Sequence, residues 1–180
     1  MTVNMKQMIA ETLARLLEHK SVDKITVKEL VDACGISRQA FYYHFQDIME
    51  VIEWVTAQAL DRTVEDSLAA PTPQEAIKSV ILSIRENSVL IRHLMASQRR
   101  QEIERLLVQT SRLYLEKMFR TKAAGLTIKS DDLETAINFY SYGLVGVLME
   151  NLDNHKNADT LACQFCGLLT GEIWNGAQIP

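Results

Sequence analysis

The stretch "ITVKELVDACGISRQAFYYHF", residues 25–45, decides how the rest of the chain is read. Its "TVKE" has the form of a capping box, in which the Thr26 hydroxyl accepts from the helix start and Glu29 reaches back. A short helix follows, to about Ala33. Gly35 then breaks it, because glycine takes the positive φ of a tight turn without penalty. Ser37 can cap a second helix over 37–45. At 100° per residue, Phe41 and Phe45 fall on one face of that helix, one turn apart. Gln39 and Tyr43 fall opposite, and Tyr42 and His44 take the flanks. Phe41, Tyr42, Tyr43, His44 and Phe45 are too many rings for one short helix to bury, so some of them serve another surface.

Two short helices joined through a glycine turn have the spacing of a helix-turn-helix. Leu30, Cys34, Ile36 and Phe41 supply its small apolar anchors. In such a motif the second helix presents polar side chains outward, with its N-terminal residues nearest the base edges. A helix–turn–helix pattern by itself is often only a corner of a helical bundle. The aromatic second helix behind a capped "TVKEL" favours DNA.

Outward from this motif the chain reads as all-α, with about nine helices and neither strand alternation nor repeats. Before it, Met5, Met8, Ile9, Thr12, Leu13, Leu16 and Leu17 form one stripe, predicting a helix over 3–19. After it, "DIME" at 47–50 opens a helix through about Ser67. In "AAPTPQEA", Thr72 caps, Pro73 takes the first helical position and Glu75 completes the box. Helices are predicted over 73–86, 89–96, 99–123, 131–153 and 159–174, with Ser130 as a cap and Gly125 and Gly176 at helix ends. The organisation expected is a three-helix head, 1–46, and a helical body, 47–180, which the family resemblance given below makes a DNA-binding head and a regulatory and dimerisation body.

Composition narrows the class. The 180 residues allow one domain, or a small one joined to a larger. The net charge is −4. Residues 1–46 carry six Lys/Arg against five Asp/Glu, and residues 47–180 carry thirteen against eighteen. The acidic excess therefore lies in the body, and the head is close to neutral. No apolar run of about 18 residues suggests a membrane span. The N-terminal segment is amphipathic rather than a secretory leader. Three cysteines without dense spacing fit a reducing cytoplasm.

The segment "ITVKELVDACGISRQAFYYHFQDIMEVIEWV", residues 25–55, resembles the TetR family of transcription regulators, and within it regulators of the dihydroxyacetone-kinase activator type. The resemblance implies DNA contacts from Thr26, Ser37, Arg38, Gln39, Ala40, Tyr42, Tyr43 and His44. It implies a homodimer through the last two helices, about 131–174, where Gly143, Gly146, Ala162, Cys163, Cys166, Gly167 and Gly171 permit close approach. Leu144, Val145, Val147, Leu148, Phe165, Leu168 and Leu169 would supply apolar area. It also implies an effector, either a small molecule enclosed by helices four to eight or a co-regulator protein. Trp54, His93, Tyr114, Met118 and Tyr140 are the amphipathic or adaptable side chains expected to line that pocket. Three departures bear on DNA binding. Val31 and Cys34 stand where the family usually has alanines. Gln39 and Ala40 replace a common Gly-Thr pair. Ile48 replaces a phosphate-contacting lysine, so shallow salt dependence is expected.

Other signals point to less. Cys163 and Cys166 have C-x-x-C spacing, but no further pair completes a four-ligand zinc site, so packing cysteines are expected and no metal or other cofactor. Arg99 and Arg100 belong to a charged run of the kind that forms a solvated helix face. No phosphate loop, nucleophile elbow or carboxylate pair appears, so no enzyme is expected. The rival from another class is a helical protein-interaction adaptor whose head docks in a protein groove.

Overall fold

The computed structural model describes residues 4–122, 129–152 and 156–170. Among them the order is α1 (Met5–Leu17), α2 (Val27–Cys34), α3 (Arg38–His44), α4 (Ile48–Ala69), α5 (Pro73–Glu86), α6 (Ser88–Met95), α7 (Arg100–Lys122), α8 (Ser130–Glu150) and α9 (Ala158–Thr170). A single 3-10 turn, Val22–Lys24, precedes α2, and no strand occurs among the described residues. The all-α expectation is met.

The helix starts follow the capping chemistry. Thr26 Oγ1 accepts from Glu29 N at 3.2 Å and Ser37 Oγ from Ala40 N at 3.1 Å. Asp47 Oδ1 accepts from Glu50 N at 3.0 Å, while Glu50 reaches back to Gln46 N. Thr72 Oγ1 accepts from Glu75 N at 3.2 Å, ahead of Pro73. Glu29 gives its carboxylate to Lys20 Nζ, at 2.5 Å. Glu75 accepts from the Thr72 hydroxyl, so among the described residues neither Glu29 nor Glu75 closes its box onto the cap's backbone N–H as expected, and the cap of α8 also differs. Lys129 takes the cap position of α8 without a side-chain hydrogen bond, and Ser130 is already helical. Asp131 and Asp132 in the first turn supply the negative charge that a helix N-terminus favours. The expected ends at Gly125 and Gly176 lie outside the described residues.

The chain forms two compact units. The first takes residues 1–59 and 88–110, and thus adds α6 and parts of α4 and α7 to the three head helices. Its core joins Ile9, Leu13 and Leu17 of α1, Leu30 and Val31 of α2, Phe41 of α3 with Phe45 beyond it, and Ile48, Val51 and Ile52 of α4. Leu94 and Ile103 close it from α6 and α7. Two polar contacts lock that closure. His93 Nδ1 donates to the Leu17 carbonyl, at 2.6 Å, and Gln98 N donates to Asp23 Oδ2, at 2.9 Å.

The second unit takes residues 60–87 and 111–180. Its core joins Ile81 of α5, Leu148 of α8, and Leu161, Ala162 and Phe165 of α9. The buried Ser67 hydroxyl lies 3.0 Å from Tyr114 Oη and 3.3 Å from Ser79 Oγ, tying α4, α7 and α5 together. Arg112 bonds Glu116 on its own helix and Asn138 on α8, and pairs with Glu134.

Candidate nucleic-acid interface

The turn between α2 and α3 holds the interface geometry. Gly35 sits at φ 69°, in the left-handed region, and Ile36 N closes back onto Val31 O at 3.0 Å. The chain leaves α2 there and restarts at Ser37, and α3 crosses the surface of the first unit. Phe41 and Phe45 are 0% and 2% exposed, with ring centroids 6.1 Å apart. Burial of these two rings fixes the rotation of α3. The outward residues follow from that rotation: Tyr43 is 85% exposed and Tyr42 57%.

Each anticipated contact residue has a definite place. Thr26 and Ser37 are exposed at the cap positions of α2 and α3, each using an oxygen lone pair on a backbone N–H. Their hydroxyl hydrogens are left to donate outward. Arg38 and Gln39 are exposed in the first turn of α3, Ala40 is half-buried beside them, and His44 is half-buried at the far end. The Tyr42 ring meets Phe41 edge-on at 5.5 Å, and Tyr43 meets His44 likewise at 5.0 Å. Seven of the eight positions thus lie between 37 and 44, and Thr26 opens the neighbouring helix. Of the departures, Val31 is buried and Cys34 half-buried between the helices, and Ile48 is buried in the core.

The residues expected around an effector divide between the two units. Trp54 stacks edge-on against Phe45 at 6.2 Å and His93 is bonded to Leu17, both inside the first. Tyr114, Met118 and Tyr140 belong to the second, each half-buried. Burial raises the Tyr114 phenol above its usual range, against the opposing effect of the Ser67 hydrogen bond. Cys163 is exposed and Cys166 half-buried on α9. Of the residues expected at a dimer face, Leu148, Ala162 and Phe165 are consumed by the chain's own core. Gly143, Gly146 and Leu168 are exposed, and Gly171 lies outside the described residues.

One feature of the site gave no sequence signal. Lys6 of α1 places its ammonium 5.0 Å from the Phe45 ring centroid, just past the end of α3. Helical periodicity assigns faces within a helix and says nothing of which distant helix end meets them.

The exposed α3 on a buried aromatic base, with its glycine turn and two hydroxyl caps, defines an all-α helix-turn-helix protein. Residues 9–53 match the bacterial regulatory proteins of the tetR family, and residues 71–168 match a transcriptional regulator C-terminal region. The chain belongs to the TetR family of transcriptional regulators. It is 23% identical over 174 residues to the uncharacterized HTH-type transcriptional regulator YerO of Bacillus subtilis (strain 168), an alignment covering 87% of this chain. The chain spans 60% of that relative's length. The dihydroxyacetone kinase operon activator DhaS superposes with a TM-score of 0.71 at 16% identity, covering 96% of this chain and 97% of that one. The structure of Lin0861 from Listeria innocua gives 0.69 at 16% identity, covering 92% and 88%. At these identities the likeness is one of fold.

Proposed function

We propose that this protein is a sequence-specific DNA-binding transcriptional regulator that engages a palindromic operator as a homodimer. The observation that carries this reading is the set of polar side chains on α3 outside the buried Phe41–Phe45 pair. Residues 1–46 are its DNA-binding head and 47–180 its regulatory and dimerisation body. Arg38 and Gln39 lie where base edges are reached, and Arg can pair bidentately with guanine, Gln with adenine. Tyr42, His44, Thr26 and Ser37 surround them with groups suited to phosphates, and Tyr43 faces the groove floor with Ala40 beside it.

The dimer reading draws on α8 and α9. Phe139, Tyr142, Gly143 and Gly146 are exposed at helical spacing on α8, and Cys163 and Leu168 are exposed on α9. A small-molecule or co-regulator effector acts through the body. Tyr114, Met118 and Tyr140 suit its lining by amphipathic or adaptable character and partial burial, whereas Trp54 and His93 are also engaged in the packing of the first unit.

Roles within α3 separate by experiment. Binding of wild type, Arg38→Ala and Tyr42→Phe is measured on a selected operator and on scrambled duplex. Arg38→Ala is expected to cost about 1–3 kcal/mol on the operator and to relax preference at one position per half-site. Tyr42→Phe is expected to weaken both duplexes alike. Equal loss on both duplexes for Arg38→Ala, or loss on the operator alone for Tyr42→Phe, would overturn the assignment.

A further inference from the structure

We propose that Lys6 is a phosphate anchor at the C-terminal end of α3, held in place by the Phe45 ring. The inference rests on the DNA-binding reading above and adds to it a residue from another helix.

The cations of the head differ in how they are held. Lys20 is paired with Glu29 at 2.5 Å, and an Arg15 nitrogen is bonded to the Thr12 hydroxyl at 3.0 Å. Lys24, Lys28 and Arg38 are exposed. Lys6 alone of the six rests on an aromatic ring among the described residues, and that ring belongs to the residue that ends α3. Its residue is half-buried, so the stem packs while the ammonium sits over Phe45. No carboxylate among the described residues pairs with it. A cation already fixed beside a binding surface loses less side-chain freedom on binding than one on a mobile stem.

The local charge gives Lys6 a task. The segment after Phe45 carries Asp47 and Glu50, both engaged with backbone N–H groups at the start of α4. Ile48 is buried and adds no charge. Phosphates approaching the His44 end of α3 therefore meet two carboxylates unless a cation stands there. Lys6 is the positive group that the fold brings to that end. It does so from α1, about forty residues earlier in the chain.

The test uses the full chain, with the operator selected by wild type and a scrambled duplex, across a salt series. Lys6→Gln and Lys6→Met remove the charge, Met retaining apolar cover over Phe45. Lys6→Arg restores a cation. Lys129→Gln, an exposed body lysine, controls for net charge. Both neutral variants are expected to weaken the two duplexes by the same factor. They should flatten the log–log salt slope by about 0.9 for each phosphate that is no longer neutralised, or about 1.8 for a dimer. Lys6→Arg should recover wild-type behaviour, and Lys129→Gln should retain it. A wild-type slope in both neutral variants, or a slope change matched by Lys129→Gln, overturns the role of Lys6. A lower melting temperature with an unchanged slope overturns it too, since it leaves only packing. Failure of wild type to bind any duplex sinks the DNA-binding reading itself, a result distinct from failure of the Lys6 variants alone.

Discussion

Gly35 turns the chain between α2 and α3 at φ 69°, and it is the residue on which the motif's geometry depends. A Cβ added there meets nothing within 4 Å, so substitution strains the backbone without a clash. Left-handed backbone costs an ordinary L-residue roughly 1–2 kcal/mol. Gly35→Ala should therefore lower the urea-unfolding free energy by about that amount with little change in helix content, and Gly35→Asn should lose less, because Asn tolerates this region. Equal losses would contradict a purely backbone cause. This position was legible in the sequence, since "CGIS" has one residue able to make the turn. Tyr42 and Tyr43 were legible too, because once Phe41 and Phe45 are buried the helix period leaves them outside, with His44 half-buried on the flank. Lys6 was not, because its relation to Phe45 depends on how α1 packs across α3.

Among elements, starts were read more surely than ends. Thr26, Ser37, Asp47 and Thr72 each accept from a backbone N–H three residues on, a local bond that a short sequence can specify. The 3-10 turn at Val22–Lys24 escaped because it spans three residues and has no apolar period. Ser130 misled because a good capping residue stood one place too late, after Lys129 had taken the position. Contacts between elements were the least legible. The tie of α4, α5 and α7 through Ser67, Ser79 and Tyr114 crosses long stretches of chain that no periodicity connects.

That tie has a pH consequence. The folded phenol of Tyr114 titrates above its ordinary value near 10, chiefly because burial disfavours the phenolate. Its stabilising contribution is thus complete below about pH 10 and is lost as pH rises through the ordinary phenol range toward the folded value. Tyr114→Phe should cost about 1 kcal/mol at neutral pH, because the hydrogen bond to Ser67 is gone. It should also fall less steeply than wild type between about pH 9 and 11 in denaturant titrations. A variant whose alkaline loss parallels wild type would exclude Tyr114 as its source.

At the scale of the molecule, the proposed dimer rests on an exposed face of α8. Phe139 and Tyr142 are 73% and 68% exposed, with Gly143 and Gly146 beside them at helical spacing. Space is open beyond the Cα of both glycines. Gly146→Leu should therefore fold as a single chain, with helix content kept or raised because Leu favours helix over Gly. It should obstruct a close helix pairing, moving the mass by light scattering from dimer toward monomer. An unchanged dimer would place the interface elsewhere. Charge is divided along the same lines as the proposed roles, with the acidic excess beyond residue 46 and the head near neutrality.

Whether the exposed side of α3 reads duplex DNA is tested most directly by selection from a random-duplex pool with the purified wild-type chain. Enrichment of a palindrome is expected, with half-sites centred about 10 base pairs apart or a multiple of it. Arg38→Ala, run through the same selection, is expected to relax one position in each half-site. No enriched sequence, with the head instead docking in a protein groove, would contradict DNA reading by α3 and leave the adaptor in its place.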